Sequence, residues 1–330
     1  MQPALKTTDL QIGYVSGKKT KTVAGPLNAT LQAGELVCIM GANGIGKSTF
    51  IKTIAGLQQP LAGRVAVSGA DIHQLSNRER AKRLAVVLTG RPAAHFLTVH
   101  QLVALGRYPH TNWKNTLTRQ DTAAIDQALE AVGLTDDADT PVAELSDGNA
   151  QKALIARALA QETPLVVLDE PTVHLDLRNK SMILQLLLKL SRKYQKSILL
   201  ASHDLHMMMQ VADKLWLFHR EQLVCGLPED MLLNGYLERL LGPTLINPTG
   251  QPQIEIDGEE EVATLVLQAL AKAGLAKAVL PARVKVKRLP HGVEIQAKET
   301  YSSIEDFVNS LAHTRHRTQS GDPPPAISSK

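Results

Sequence analysis

One segment constrains this chain more than any other. Gly41-Ala42-Asn43-Gly44-Ile45-Gly46-Lys47-Ser48-Thr49 stands between an apolar run, Leu36 to Met40, and a helical pattern from Lys47 to Leu57, closed by Gly56. A continuous apolar run of that kind reads as a strand buried on both faces of a parallel sheet. Gly41 to Ser48 fits G-x-x-x-x-G-K-[ST], with the strand before it and the helix after it that the motif needs. Glycines let the backbone wrap a phosphate chain with its N–H groups pointing inward, and the helix N-terminus adds partial positive charge. Lys47 neutralises the β/γ oxygens, and the Ser48 hydroxyl is placed for Mg²⁺. The segment therefore predicts an α/β sheet that holds a nucleoside triphosphate beyond its strand C-termini.

The rest of the chain repeats that logic. Leu10 to Tyr14 and Leu27 to Leu31 alternate like short strands. Leu84 to Leu88, Leu165 to Leu168 and Ser197 to Ala201 are further buried strands, and Val99 to Leu105, Thr122 to Val132 and Met182 to Tyr194 are helical by period. Asp169-Glu170 ends one strand, expected beside the glycine-loop strand. There Asp169 can hold Mg²⁺, and Glu170, facing differently, can reach the attacking water; a general base is worth roughly 10²–10⁴ in rate. His203 ends the next buried strand and is placed for the γ-phosphate.

Around Leu245 the character changes. Asn247 to Pro252 is a linker by composition. A small α+β domain follows. Ile254 to Ile256 reads as a strand, and Asp257 as the cap of a helix from Glu259 to about Ala273. Val284 to Leu289 and Val293 to Ala297 form a hairpin around Pro290-His291-Gly292. Ser302-Ser303-Ile304-Glu305 is a capping box opening a helix to about His313. These readings divide the chain at 1–244, 245–313 and a disordered tail, 314–330.

Composition removes several classes. Aromatics make up 3% of the 330 residues, which argues against base-stacking surfaces for single-stranded nucleic acid. The net charge of +4 is not gathered into a basic arm, so no nucleic-acid partner is expected. Cys38 and Cys225 fit no metal spacing. No secretory signal precedes Leu10, and no apolar run reaches a membrane span. The Asn-Lys-x-Asp base reader of a GTPase is absent.

The order of these motifs, from Leu10 to Leu241, resembles the ATP-binding subunit of an ABC transporter. That resemblance implies an ABC cassette of the P-loop NTPase fold, with a parallel core sheet, an antiparallel β subdomain and a helical subdomain. Tyr14 matches the family's adenine-stacking aromatic. Leu145-Ser146-Asp147-Gly148-Asn149 is similar to its signature, Leu-Ser-Gly-Gly-Gln. In the family this segment opens a helix aimed at the γ-phosphate held by a second copy, so Ser146 would donate to that phosphate and Gly148 would allow close approach. Leu175-Asp176 resembles the loop that crosses the dimer interface, and His203 the switch histidine. Gly41, Asn43, Gly44, Gly46, Lys47, Ser48 and Thr49 would hold ATP, Ser48 and Asp169 the Mg²⁺, with Glu170 as base.

Two departures stand out. Asp147 and Asn149 replace Gly and Gln, and Asp147 is expected to point away from the phosphate. The family also places a Gln after the strand ending at Leu88, where it touches Mg²⁺ and senses the membrane partner. Here the sequence runs Thr89-Gly90-Arg91-Pro92. Leu97 to His110 is similar to a segment of the ATPases serving iron-chelate, haem and vitamin B12 importers, with His100 and His110 as surface or packing residues. The resemblance implies an energy-coupling ATPase at the cytoplasmic face of the cell membrane. Its partners would be a second copy of itself, integral membrane permease subunits and, indirectly, a substrate-binding protein. The alternatives are an ABC ATPase for another cargo and a soluble ABC ATPase outside transport.

Overall fold

Strand C-termini position everything that follows. The computed structural model describes residues 2–17, 19–90, 96–112, 116–234, 236–237, 256–272, 284–289, 292–297 and 300–311. The readings at Arg91-Pro92, at the 247–252 linker, at Ile254-Glu255, at Pro290-His291 and over the 314–330 tail lie outside these residues. Contacts divide the chain into two compact units, Met1–Cys225 and Gly226–Lys330.

The first unit is built on two sheets. β1 (Leu5–Ser16), β2 (Lys19–Leu31), β4 (Ala62–Val67) and β5 (Ala70–Asp71) form a sheet of order β2-β1-β4-β5, whose paired strands run antiparallel. The core sheet has the order β10-β9-β3-β8-β7-β6, from β3 (Leu36–Met40), β6 (Leu84–Val87), β7 (Leu165–Asp169), β8 (Ser197–Ala201), β9 (Lys214–His219) and β10 (Gln222–Gly226). From β9 to β6 every pairing is parallel. All five residues of β3 and of β8 are buried, as expected for strands covered on both faces. One expectation is corrected: β7 does not lie beside the glycine-loop strand. β8 separates them, so Asp169 pairs with Ala201 and Ile39 with that same Ala201.

α1 (Lys47–Ile54) packs on this sheet through Phe50, which meets Trp216 edge-on at 6.2 Å and Phe218 at 5.7 Å between ring centroids. α2 (Asn77–Ala81) follows the antiparallel sheet and opens with a Ser76–Glu79 capping box. The helical part comprises α3 (Val99–Ala104), α4 (Arg119–Val132) and α5 (Asp147–Ala160). α4 starts three residues earlier than the periodicity suggests, because Thr118 and Asp121 form a capping box. Arg107, just past α3, is buried. It donates to Asp121 Oδ1 (2.8 Å), to the Ala160 carbonyl (2.6 Å) and to Glu162 Oε2 (2.6 Å). One guanidinium thus ties α3, the start of α4 and the end of α5. His110 binds the Gln161 carbonyl at 2.9 Å and is a packing residue. α6 (Leu177–Tyr194) and α7 (Leu205–Val211) complete the unit, capped by Asp176 and Asp204.

The second unit begins with α8 (Pro228–Leu233). Its sheet has the order β11-β12-β13-β14, from β11 (Ile256–Gly258), β12 (Val284–Leu289), β13 (Gly292–Gln296) and β14 (Thr300–Tyr301). With α8 the unit holds α9 (Glu260–Lys272) and α10 (304–311). Val262, Leu265, Leu270, Val284, Ile295 and Phe307 are buried in it. Asp257 lies in β11, and it is the Glu259 carbonyl that accepts the first helical bond of α9, from Ala263 N. α10 is capped by Ser303, which accepts from Asp306 N at 3.0 Å, one residue later than the expected box. Asp230 of α8 adds a second cap, accepting from Ile304 N (2.7 Å) and Glu305 N (2.9 Å). These bonds, with the Lys272–Glu229 pair at 2.7 Å, draw α8 into this unit. The division after Cys225 therefore falls ahead of the 244/245 boundary that composition suggests.

Candidate functional site

Parallel pairing brings four strand ends side by side: the glycine loop after β3, Ser202-His203-Asp204 after β8, Asp169-Glu170 at the end of β7, and Leu88-Thr89-Gly90 after β6. In the glycine loop Gly41, Gly44 and Gly46 have φ of 151°, 77° and 118°. A Cβ at Gly41 would lie 2.9 Å from Phe218 Cβ, and one at Gly46 2.7 Å from Val23 Cγ1. Both positions require glycine on conformation and on space. Asn43, Gly44 and Ser48 are exposed, whereas Lys47 and Thr49 are buried. Lys47 Nζ curls back to donate to the carbonyls of Gly41 (2.7 Å) and Ala42 (3.1 Å). Burial lowers its pKa, against the opposing pull of Glu170 and Asp169. Tyr14, half-exposed on β1, shares a 2.7 Å hydrogen bond with the Thr49 hydroxyl, which sets its ring beside the start of α1.

Burial raises the pKa of Asp169 and the like charge of Glu170 adds to it; Lys47 and Lys52 oppose. Glu170 takes a left-handed φ of 49°, fixed by its N–H donating to Ala201 O at 3.1 Å. Its Oε1 lies 3.8 Å from His203 Nδ1. Lys47, Asp169, Glu170 and His203 thus gather beyond the C-terminal ends of three adjacent strands, β3, β8 and β7.

Ser146, Gly148 and Asp176 form a second group. Ser146 is exposed and caps α5, accepting from Asn149 N at 3.3 Å. Asn149 also reaches Asp137 Oδ2 at 3.5 Å. Gly148 is buried, and a Cβ there would meet Asn179 Oδ1 at 2.6 Å. Asn179 in turn donates from its backbone N–H and its amide to Asp176 (2.7 and 3.2 Å). Gly148 and Asp176 are therefore linked through Asn179.

A cleft of about 330 Å³ opens between these groups, lined by Thr89 and Gly90, by Asp147, Gln151 and Leu154 of α5, and by Glu170 and His174. Gln151 and His174 carry no motif of their own, and sequence reasoning misses both. The one signal for Gln151 is its spacing, four residues after Asp147 on the same helix.

The donor chemistry at the strand ends suits Mg²⁺. A hydroxyl at Ser48 and a carboxylate at Asp169 are hard oxygen donors, and a cation would offset the penalty that burial and Glu170 place on the ionised form of Asp169.

Comparison with known proteins gives the family. The family model described as ABC transporter matches residues 24–173. The chain is 39% identical over 230 residues to the probable siderophore transport system ATP-binding protein YusV of Bacillus subtilis, covering 69% of this chain and 82% of that protein. It is 35% identical to the ferric enterobactin transport ATP-binding protein FepC of Escherichia coli, covering 72% and 87%. A metal-chelate type ABC transporter solved in an inward-facing conformation superposes with a TM-score of 0.62 at 28% identity, covering 72% of this chain and 88% of that one. A dimeric bacterial ABC transporter cassette, MJ0796, shares the fold with a TM-score of 0.57 at 24% identity, covering 66% and 96%. The chain belongs to the ATP-binding proteins of ABC transporters, and it is an ATPase with the ABC cassette fold. Among the described residues no helix is long and apolar enough to cross a membrane.

Proposed function

We propose that this ATPase powers an importer of iron-siderophore or related metal chelates. The observation that carries the reading is the meeting of Lys47, Asp169, Glu170 and His203 beyond one parallel sheet, in a chain whose relatives serve siderophore and enterobactin transport. Gly41 to Thr49 cradle the triphosphate and Lys47 turns from the Gly41 and Ala42 carbonyls to its oxygens. Tyr14 stacks on adenine. Ser48 and Asp169 hold Mg²⁺, which supplies charge neutralisation on the phosphate oxygens. Glu170 takes a proton from the attacking water, and His203, close to its carboxylate, contacts the γ-phosphate.

Ser146, Gly148 and Asp176 serve the nucleotide of a second copy. Ser146 is exposed, so its hydroxyl is open to that partner, while Gly148 lets α5 pack against Asn179 and so steadies Asp176. Two copies close on ATP and part after hydrolysis, moving permease subunits at the cytoplasmic face of the membrane. A substrate-binding protein delivers the cargo. The unit Met1–Cys225 does this work, and the α+β unit that follows is an accessory.

Purification of the full chain with its membrane partner tests this reading. Stimulation of ATP turnover by a ferric chelate is the expected result. A permease whose bound cargo carries no chelated metal overturns the cargo, and recovery with ribosomes or DNA overturns transport. Glu170→Gln is expected to trap an ATP-bound dimer; turnover at the parent rate would refute the base.

A further inference from the structure

We infer that Gln151 is a positioning residue for the base Glu170, acting from α5 across the cleft that Gly90 leaves open. The inference rests on the reading of Glu170 given above. Gln151 Nε2 is buried and has no hydrogen-bond partner among the described residues. A buried amide N–H without an acceptor is costly, and native structures rarely leave one so. The same side chain lines the cleft that Glu170 lines. At about 330 Å³ this cleft has room for roughly ten waters, so a bridged contact is available where a direct one is not.

Gly90 lines the same cleft. Gly90 has a φ of 120°, and a Cβ built on it meets nothing within 4 Å. β6 lies next to β7, so Thr89-Gly90 and Glu170 follow neighbouring strands and line the cleft together with Gln151, and position 90 contributes no side chain to it. Glu170 itself is fixed at its backbone by Ala201 O, and its nearest described side-chain partner, His203, stands 3.8 Å away. An N–H donor directed at the carboxylate, directly or through water, orients it for proton abstraction. Asp147, four residues before Gln151, is the competing acceptor on the same helix, yet Nε2 makes no bond to it. Because Gln151 sits on the helix that Ser146 caps, movement of α5 also moves the donor. The base is then aligned only when the signature helix is in place.

The test uses the full chain and measures kcat and KM for ATP together with thermal unfolding. Gln151→Leu removes the donor at similar bulk. It is expected to lower kcat about tenfold, leave KM within twofold and leave the melting temperature unchanged or raised, since the loss of a buried amide without a direct partner removes a cost. Gln151→Glu keeps the shape, lacks the N–H donors and faces Glu170 with a like charge, so kcat falls at least as far. Parent-like kcat in either variant overturns the inference. So does a parallel loss of kcat and melting temperature, which marks a packing role, or a rise in KM alone. Glu170→Gln is measured beside them. If it keeps the parent rate, the base reading falls; if it is inactive while Gln151→Leu is not impaired, the Gln151 inference alone falls.

Discussion

Replacing Arg107 by Met should unseat the helical part of the cassette. The guanidinium is 2% exposed, and its partner Asp121 is 4% exposed at the side chain. Burial raises the Asp121 pKa, but bonds from Thr118 and from Arg107 outweigh it and hold the carboxyl at about 2. Arg107→Met leaves that carboxylate buried beside neutral donors only, and it orphans the Ala160 carbonyl. Removing one member of a buried pair typically costs about 3–5 kcal/mol. The Glu162 contact adds little, because that carboxylate is 46% exposed. For a unit of this size a loss of ~1 kcal/mol lowers the melting temperature by about 2–4 °C. Thermal unfolding of the full chain should show the cassette transition lowered on the order of 10 °C. A second variant, Arg107→Met with Asp121→Leu, removes both charges and should recover part of the loss, since apolar replacement of a whole pair is often neutral, while Thr118 N and the Ala160 carbonyl stay unpaired. A double variant as unstable as the sum of the singles would refute the ion pair as the cause. So would a single variant that melts within about 2 °C of the parent, the least shift expected for even ~1 kcal/mol.

Three further outcomes are expected. Tyr14→Phe breaks the bond to Thr49 and keeps the ring, so ATP affinity should hold. Tyr14→Ala should weaken it by about 1–3 kcal/mol in a nucleotide titration, the worth of a base–aromatic stack. Gly46→Ala forces a side chain at φ 118° and 2.7 Å from Val23, so nucleotide binding should be lost and the melting temperature should fall. The Asp230 pKa is raised to about 6, chiefly by burial, against an unfolded value near 3.8. The folded state therefore binds more protons between these values. The second unit should gain stability as pH falls from about 7 towards 4 and lose it as pH rises through about 6, by at most roughly 3 kcal/mol. Denaturant unfolding across that range, repeated on Asp230→Asn, reads the slope, which the substitution should flatten.

Much of the catalytic site is legible in the chain because it is local. The glycine loop is one contiguous segment, and its strand and helix announce themselves by apolar content and period. Asp169, Glu170 and His203 each end an apolar run, and strand ends in parallel sheets face one side. The second unit's strands from Val284 to Gln296 alternate plainly for the same reason. What stayed hidden depends on pairs distant in sequence. Periodicity at Pro228 to Leu233 gives no hint that α8 belongs with the second unit, because its ties are Asp230 to residues 304 and 305 and Glu229 to Lys272. Arg107 reads as a turn residue beside Gly106, whereas its burial comes from Asp121 and Ala160, 14 and 53 positions on.

Residue order was enough to set the class: a phosphate-cradling loop on a parallel sheet, with an altered signature and no Gln after β6. Backbone geometry at Gly41 to Ser48 is dictated by residue type, and no distant contact is needed to recognise it. Which strand ends are neighbours came from the packed fold. β8 stands between β3 and β7, so His203, rather than the glycine loop, is the direct neighbour of Glu170. Packing also set Gln151 and Gly90 around one cleft with Glu170, because strand order and helix docking are settled by the burial of whole faces, which no single segment encodes.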